Sequence, residues 1–150
     1  MKSQLELLKT SRENIIKFLD QCTEEELIKV SANYNNNIYW NAAHMIASEQ
    51  LLCYKLSGLP MLIEEDFVNL YKKGTKADEK TKVDLGGLKK LINSTFLQLE
   101  ADYNKGLFKE FSPYITSYGV ELTCIEDAIV FNNIHFAVHL GYMQAQKRGL

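Results

Sequence analysis

The chain has 150 residues and a formal net charge of −2, so it fits one domain, residues 1–150, that can bury a sizeable core. The near-neutral charge and the dispersed lysines and arginines argue against a nucleic-acid partner, and no apolar run is long enough for a membrane span. The first residues do not resemble a signal peptide, and three cysteines without paired spacing are typical of reduced thiols, so we expect a cytoplasmic protein.

The first predicted helix covers residues 3–20, and Arg12 interrupts its apolar stripe. We interpret Arg12 as an arginine that extends to the surface and pairs with a carboxylate. The alternative is a cation that faces a pocket. Thr23 and Glu26 have the spacing of a capping box and predict a short helical turn over residues 24–30.

The second long helix is predicted near residues 37–57. Asn36 or Asn37 is its candidate N-cap, and a Ser-Gly pair followed by Pro60 ends it. Acidic residues at the start of the segment 62–72 predict another short helix there.

The third long helix is predicted over residues 84–104, with Asp84 as its N-cap. After it the pattern is irregular, and the segments Tyr114–Tyr118 and Val120–Leu122 predict a small extended turn. The inward face of this third helix is predicted to contain Leu88, Leu91, Ile92, Thr95 and Leu99.

The last long helix is predicted over residues 124–148, and Thr123 and Glu126 at its start have the spacing of a second capping box. With four main helices and no credible sheet, the fold class is all-α. The longest link joins the second and third long helices. Because this link can return along the roughly 30 Å of a twenty-residue helix, we expect a four-helix bundle with a long crossover and with those two helices parallel.

The three histidines of the chain lie in its two most apolar segments. His135 and His139 are four residues apart and so project from one face of the last helix, while His44 lies in the second. Imidazole is a good ligand for zinc, nickel, copper and iron, and three neutral ligands leave positions for water or substrate, as in catalytic sites. An HxxxH pair alone is equally compatible with two satisfied core histidines.

Other metal sites do not fit the sequence. Phe136 follows His135, so the glutamate of the HExxH metalloproteases is missing, and no Glu-x-x-His motif supports a di-iron bundle. Cys124 shares the helix face but precedes His135 by eleven residues, roughly 16 Å along the axis, so it cannot bind the same ion.

Polar residues near the histidines are candidates for a supporting role. Asn41, Asn132 and Tyr142 can orient ligands or substrate, although each is equally compatible with ordinary packing or capping. No aspartate or glutamate lies within one helical turn on the histidine faces, so we predict no side-chain general base. The residues expected to be mostly buried beside these faces are Trp40, Ile46, Leu51, Phe131, Ile134 and Val138.

Two stretches resemble a known family. The sequence YWNAAHMIASEQLLCYKLSGLP at residues 39–60 resembles the second-helix signature of the DinB-like (DinB/YfiT-like) family of metalloenzymes. The sequence FNNIHFAVHLGYMQAQKR at residues 131–148 resembles its last helix, in which Leu-Gly-Tyr follows an HxxxH pair. The resemblance implies a four-helix bundle with a long crossover, and a divalent metal ion, often nickel or zinc, held by His44, His135 and His139.

The resemblance is less specific about activity. Some members of the family are transferases or isomerases that depend on low-molecular-weight thiols. It therefore implies a metal-dependent enzyme, either a hydrolase or a thiol-dependent transferase or isomerase, that acts on a small-molecule substrate and forms a homodimer. The alternative is a non-catalytic, stress-associated metal-binding bundle or interaction protein.

Overall fold

The computed structural model describes residues 1–150 and is predominantly helical, as the sequence predicts. No helix combines the length and the apolar character needed to cross a membrane. The elements in chain order are α1 (Lys2–Leu19), α2 (Glu24–Ile28), α3 (Ile38–Glu49), a π-helical segment (Gln50–Lys55), α4 (Glu65–Tyr71), α5 (Leu85–Asn104), β1 (Tyr114–Ile115), β2 (Glu121–Leu122) and α6 (Ile125–Arg148).

Helices α1, α3, α5 and α6 contribute to one apolar core, and each contacts at least two of the others. The helix α4 packs against α3. The predicted alternation of apolar and polar residues explains this arrangement, because each helix buries one face. Core residues from the four helices include Leu8, Ile46, Leu99 and Phe136, which are fully buried.

Side-chain caps begin three of the helices as predicted. The Asn37 side chain accepts a hydrogen bond from the Trp40 amide at 2.8 Å, and Asp84 accepts one from the Gly87 amide at 2.8 Å. At α2, Thr23 and Glu26 accept hydrogen bonds from each other's backbone amides, which is the predicted capping box.

The second predicted capping box, Thr123 with Glu126, is wrong. The Asp127 carboxylate accepts hydrogen bonds from the Thr123 amide at 2.9 Å and from its hydroxyl at 2.8 Å. Glu126 instead accepts a hydrogen bond from the Tyr103 hydroxyl at 2.8 Å. A carboxylate in the first turn still stabilises the helix N-terminus, but the residue that does so is one position later.

The second long helix does not continue as a regular α-helix to residue 57. After Glu49 the chain forms a π-helical segment, in which the Leu56 amide donates to the Leu51 carbonyl at 3.2 Å. Gly58, with φ +67, then ends the helix. Since a π-helix has more residues per turn than an α-helix, it changes the direction of the side chains that follow.

Arg12 pairs with a carboxylate, as predicted, but it does not extend to the surface. Its side chain is 2% exposed and forms a salt bridge with Glu49, whose side chain is 0% exposed. The guanidinium also donates to the Thr95 hydroxyl at 3.0 Å and packs over the rings of Phe96 and Phe136. A buried partner charge removes the need to reach water.

Burial beside the histidines is only partly as predicted. Trp40, Ile46 and Phe131 are buried, and Leu51 is half-buried, but Ile134 and Val138 are 48% and 45% exposed. The prediction for these two residues was wrong because each directly precedes a histidine. It therefore lies about 100° around the helix from the face that turns inward.

Candidate metal centre

The three histidines meet between α3 and α6. One ring nitrogen from each of His44, His135 and His139 lies within 4.8 Å of the other two. The ring centroids are 5.3 Å apart for His44 and His135, 4.9 Å for His44 and His139, and 4.5 Å for His135 and His139. The fold therefore brings the two predicted histidine faces together, and the cluster is compatible with one shared metal ion.

The ring of His44 is held by the backbone of α4. Its Nδ1 lies 2.6 Å from the carbonyl oxygen of Tyr71. Because a carbonyl can only accept, Nδ1 carries the proton and Nε2 carries the lone pair. The Ser48 hydroxyl donates to this Nε2 at 3.2 Å, and the Trp40 ring stacks on the imidazole at 4.6 Å.

The ring of His139 is held by Asn41, whose Oδ1 lies 2.8 Å from the histidine Nδ1. The Asn41 amide nitrogen donates to the Asn37 carbonyl at 2.8 Å and to the Gln146 side chain at 3.2 Å. These two acceptors fix the orientation of the amide, so its oxygen accepts the proton of His139 Nδ1. The Nε2 atom of His139 therefore also carries a lone pair.

His135 has no comparable partner. Its Nε2 lies 3.1 Å from Nε2 of His139, while its Nδ1 is buried and has no hydrogen-bond partner. A hydrogen bond between the two rings requires the His135 proton on Nε2, whereas a cation shared by the rings requires a lone pair there. A buried polar atom without a partner is costly and unusual in a native protein, so packing in the core alone does not account for this ring.

The imidazoles are neutral at pH 7. Burial lowers the pKa of His44. Burial, together with the neighbouring imidazoles, lowers the pKa of His135 to about 2 and that of His139 to about 4. Neutral imidazole is the form that binds a metal, so the burial that disfavours a proton leaves lone pairs for a cation. The donor set fits a divalent ion that prefers nitrogen ligands.

A cavity of about 460 Å³ opens beside the histidines. One part of its wall comes from the π-helical segment, and another from the hairpin formed by β1 and β2, in which Tyr114 pairs with Leu122. The lining contains no aspartate or glutamate. The residues that line it are His44, Ser48, Leu51, Leu52, Lys55, Leu56, Lys73, Tyr114, Thr116, Ser117, Tyr118, Phe131, His135, Val138 and His139.

Of the three predicted supporting residues, the structure places only Asn41 at the histidines. Asn132 is buried in the core, where it donates to the Ala128 carbonyl at 2.9 Å. Tyr142 is 49% exposed and packs edge-on against Tyr34, outside the cavity. Both are therefore packing residues, which was the alternative interpretation of each.

Several site residues have no signal in the sequence. Tyr71 acts through its backbone carbonyl, which every residue possesses, so no side-chain pattern could identify it. Other residues reach the cavity from the loop after α4 and from the hairpin, namely Lys73, Tyr114, Thr116, Ser117 and Tyr118. The position of Ser48 beside His44 can be predicted from the sequence, since Ser48 lies four residues after His44 on the same helical face.

Comparison with known families agrees with this geometry. A family model described as the DinB superfamily matches residues 7–143, a range that includes all three histidines. No curated protein matches the sequence.

Proposed function

Because the chain belongs to the DinB superfamily, we propose that it is a metal-dependent enzyme whose divalent ion is held by His44, His135 and His139. One observation carries this proposal: three neutral imidazoles converge within 4.8 Å beside a cavity of about 460 Å³. A purely structural cluster needs no adjoining space of this size, which is in the range of small-molecule sites.

A divalent ion at these imidazoles supplies Lewis acidity, which lowers the pKa of a water or thiol and polarises a substrate carbonyl. The chain contributes the positioning. Tyr71 and Asn41 hold the His44 and His139 rings with Nε2 inward. The apolar wall excludes water from the substrate, and no lining carboxylate is present to act as a base. These features support a hydrolase or a thiol-dependent transferase or isomerase acting on a small molecule.

Nickel or zinc is the ion we propose. Both are well suited to imidazole, whereas magnesium and calcium prefer the oxygen ligands that this cluster lacks.

We further propose that the four long helices form a single-domain bundle in which α3 and α5 run parallel. The link between them supports this arrangement, because it contains α4, which packs back against α3. One long crossover connection of this kind is typical of one class of four-helix bundle.

We also propose that the protein is cytoplasmic and forms a homodimer. The dimer is supported by an exposed apolar stripe on α6, which consists of Val130, Ile134 and Val138, with Leu7 of α1 beside it. These side chains are 40%, 48%, 45% and 52% exposed, respectively. Contiguous apolar surface of this kind often marks an interface. Light scattering at micromolar concentration measures the mass of the assembly, and Ile134→Lys places a charge on the stripe. A monomer mass for the wild type, with the same mass for Ile134→Lys, would count against the dimer.

The first test is metal analysis of the purified protein, followed by titration of the metal-free form with nickel or zinc. Trp40, the only tryptophan, stacks on His44, so its fluorescence reports binding. We expect one ion per chain and sharply weaker binding in His44→Ala, His135→Ala and His139→Ala. Gln144→Ala, an exposed change on α6, serves as the control. Stoichiometric metal retained in all three histidine variants would contradict the site.

The second test separates the reactions. In the cobalt-loaded protein, a small thiol that binds the ion should add a sulfur-to-metal absorption band. If no small thiol changes the spectrum, the thiol-dependent transferase and isomerase are excluded as the proposed function, and the hydrolase is the enzyme that is left. Loss of the fold in the histidine variants would favour the alternative, a non-catalytic metal-binding or interaction protein.

A further inference from the structure

The side chains that line the cavity beside the histidines include positively charged groups but no negatively charged group. Lys55, the last residue of the π-helical segment, and Lys73, in the loop after α4, both line it, and no aspartate or glutamate does. Neither lysine takes part in any of the three salt bridges of the chain. Both lysines are exposed and their ammonium groups remain available, so an anion that enters the cavity meets positive charge and no competing carboxylate.

The rest of the wall is largely apolar. Leu51, Leu52 and Leu56 line the cavity together with aromatic rings. Tyr118 packs edge-on against Phe131 at 5.6 Å. This wall suits a hydrocarbon or aromatic body and gives no binding partner to a second charge.

Hydroxyl groups add a few donors at the hairpin. The Thr116 hydroxyl is already used inside the turn, where it donates to the Val120 carbonyl at 3.0 Å and accepts from backbone amides. The hydroxyls of Tyr114, Ser117 and Tyr118 have no such partner in the chain, and all three residues line the cavity. They are free to donate to an oxygen of a ligand.

We propose that this cavity binds a small organic anion, with an apolar body against the leucines and Phe131 and an anionic group held by Lys55 and Lys73. This assigns a substrate class to the enzyme proposed above. It rests on that function only in taking the histidine-lined cavity as the place of reaction. Two lysines from different elements select for the charge, and the apolar wall selects for the body.

The test uses two dyes that share an aromatic body. 1-Anilinonaphthalene-8-sulfonate carries one negative charge, and N-phenyl-1-naphthylamine carries none. Both are titrated into metal-free protein, so that binding is measured without the ion. We expect the anionic dye to bind more tightly, and added salt to weaken only the anionic dye.

Lysine variants locate the charge. We expect Lys55→Gln and Lys73→Gln each to weaken the anionic dye about three- to tenfold, with the neutral dye unchanged. Lys55→Arg and Lys73→Arg should retain most of the affinity. Lys72→Gln is the matched control, because Lys72 is adjacent in sequence but hydrogen-bonds Asn69 and does not line the cavity.

Two results would overturn the inference: equal affinity of the wild type for both dyes, or unchanged affinity for the anionic dye in both glutamine variants. These outcomes are separate from those of the metal test. Lysine-dependent dye binding in a protein that binds no metal would leave the anion site standing and remove the metal enzyme. Metal binding without charge selectivity would do the reverse.

Discussion

Two polar clusters share the helix α3 and differ in what completes them. At its end Glu49 meets Arg12, and the guanidinium also donates to Thr95. One turn and a residue earlier, His44 meets His135 and His139. The first cluster pairs opposite charges within the chain. The second brings three neutral bases together and includes no acid.

The difference indicates which cluster is structural. A buried charge needs a partner when the chain folds, and Arg12 and Glu49 provide one for each other. The histidines instead contain no opposite charge: Nε2 of His135 lies 3.1 Å from Nε2 of His139, and Nδ1 of His135 has no hydrogen-bond partner. Three neutral imidazoles that meet in one place are compatible with a bound cation, which the ion pair does not need.

The largest expected effect on stability comes from removing one partner of the Arg12–Glu49 ion pair. Arg12→Met leaves Glu49 buried without its partner and should lower the free energy of unfolding by about 3–5 kcal/mol. Urea denaturation of the metal-free protein measures the loss. The double variant Arg12→Met, Glu49→Leu should recover most of it, because two apolar side chains can replace a buried pair. If the double variant is no more stable than the single one, the pairing is not what the arginine provides.

Lowering the pH should act on the histidine cluster in the metal-free protein. The pKa of His135 falls to about 2 and that of His139 to about 4, both below the ordinary value of about 6.5 that they regain on unfolding. Below pH 6.5 the unfolded chain therefore binds more protons, and stability falls as pH falls. The loss is at most about 1.4 kcal/mol per pH unit for each histidine.

Urea denaturation at pH 7.0, 6.0 and 5.0 measures this slope. The double variant His135→Ala, His139→Ala should flatten it over the same range. An equal slope in the variant would assign the pH dependence to other groups. Bound metal should raise the free energy of unfolding at each pH but leave the onset of the loss near pH 6.5, because the histidines of the unfolded chain set that onset.

The sequence predicted these two clusters to different extents. Spacing identified the histidine pair on α6, since four residues bring side chains onto one face, and the fold brought His44 to the same place. It also predicted a carboxylate partner for Arg12. It could not predict that the pair is buried, because Glu49 looks like any polar residue in helix α3. Burial of a charge depends on which helices pack around it.

The cavity was harder to predict than the helices. Periodicity located α1, α3, α5 and α6, and side-chain caps marked the starts of α3 and α5, because each helix is specified by neighbouring residues. The cavity wall combines a π-helical segment, the loop after α4 and a hairpin, and no local pattern records that they meet. The sequence also gives no sign of the Tyr71 carbonyl that holds His44, because no local pattern records that the end of α4 meets this histidine.

The outer partner of His139 provides the next test. Asn41→Ala removes the acceptor that fixes the His139 tautomer and should weaken nickel or zinc binding about 10- to 100-fold. Calorimetric titration measures the affinity. The Gln144→Ala variant should bind as the wild type does. Unchanged affinity in Asn41→Ala would mean that the α6 histidines are oriented by packing alone.

The smallest expected effect has the opposite sign and comes from the partner of His44. The Ser48 hydroxyl donates to His44 Nε2 at 3.2 Å, which is the same lone pair that an ion needs. An ion must therefore displace this hydrogen bond, whose net worth is about 0.5–1.5 kcal/mol. Ser48→Ala removes the competitor, so metal should bind about two- to tenfold more tightly, since 1.4 kcal/mol corresponds to a factor of about ten. Asn41→Ala and Ser48→Ala thus change affinity in opposite directions, although each removes one hydrogen bond to a histidine. If Ser48→Ala weakens binding instead, the hydroxyl supports the bound ion or its solvent and does not compete with it.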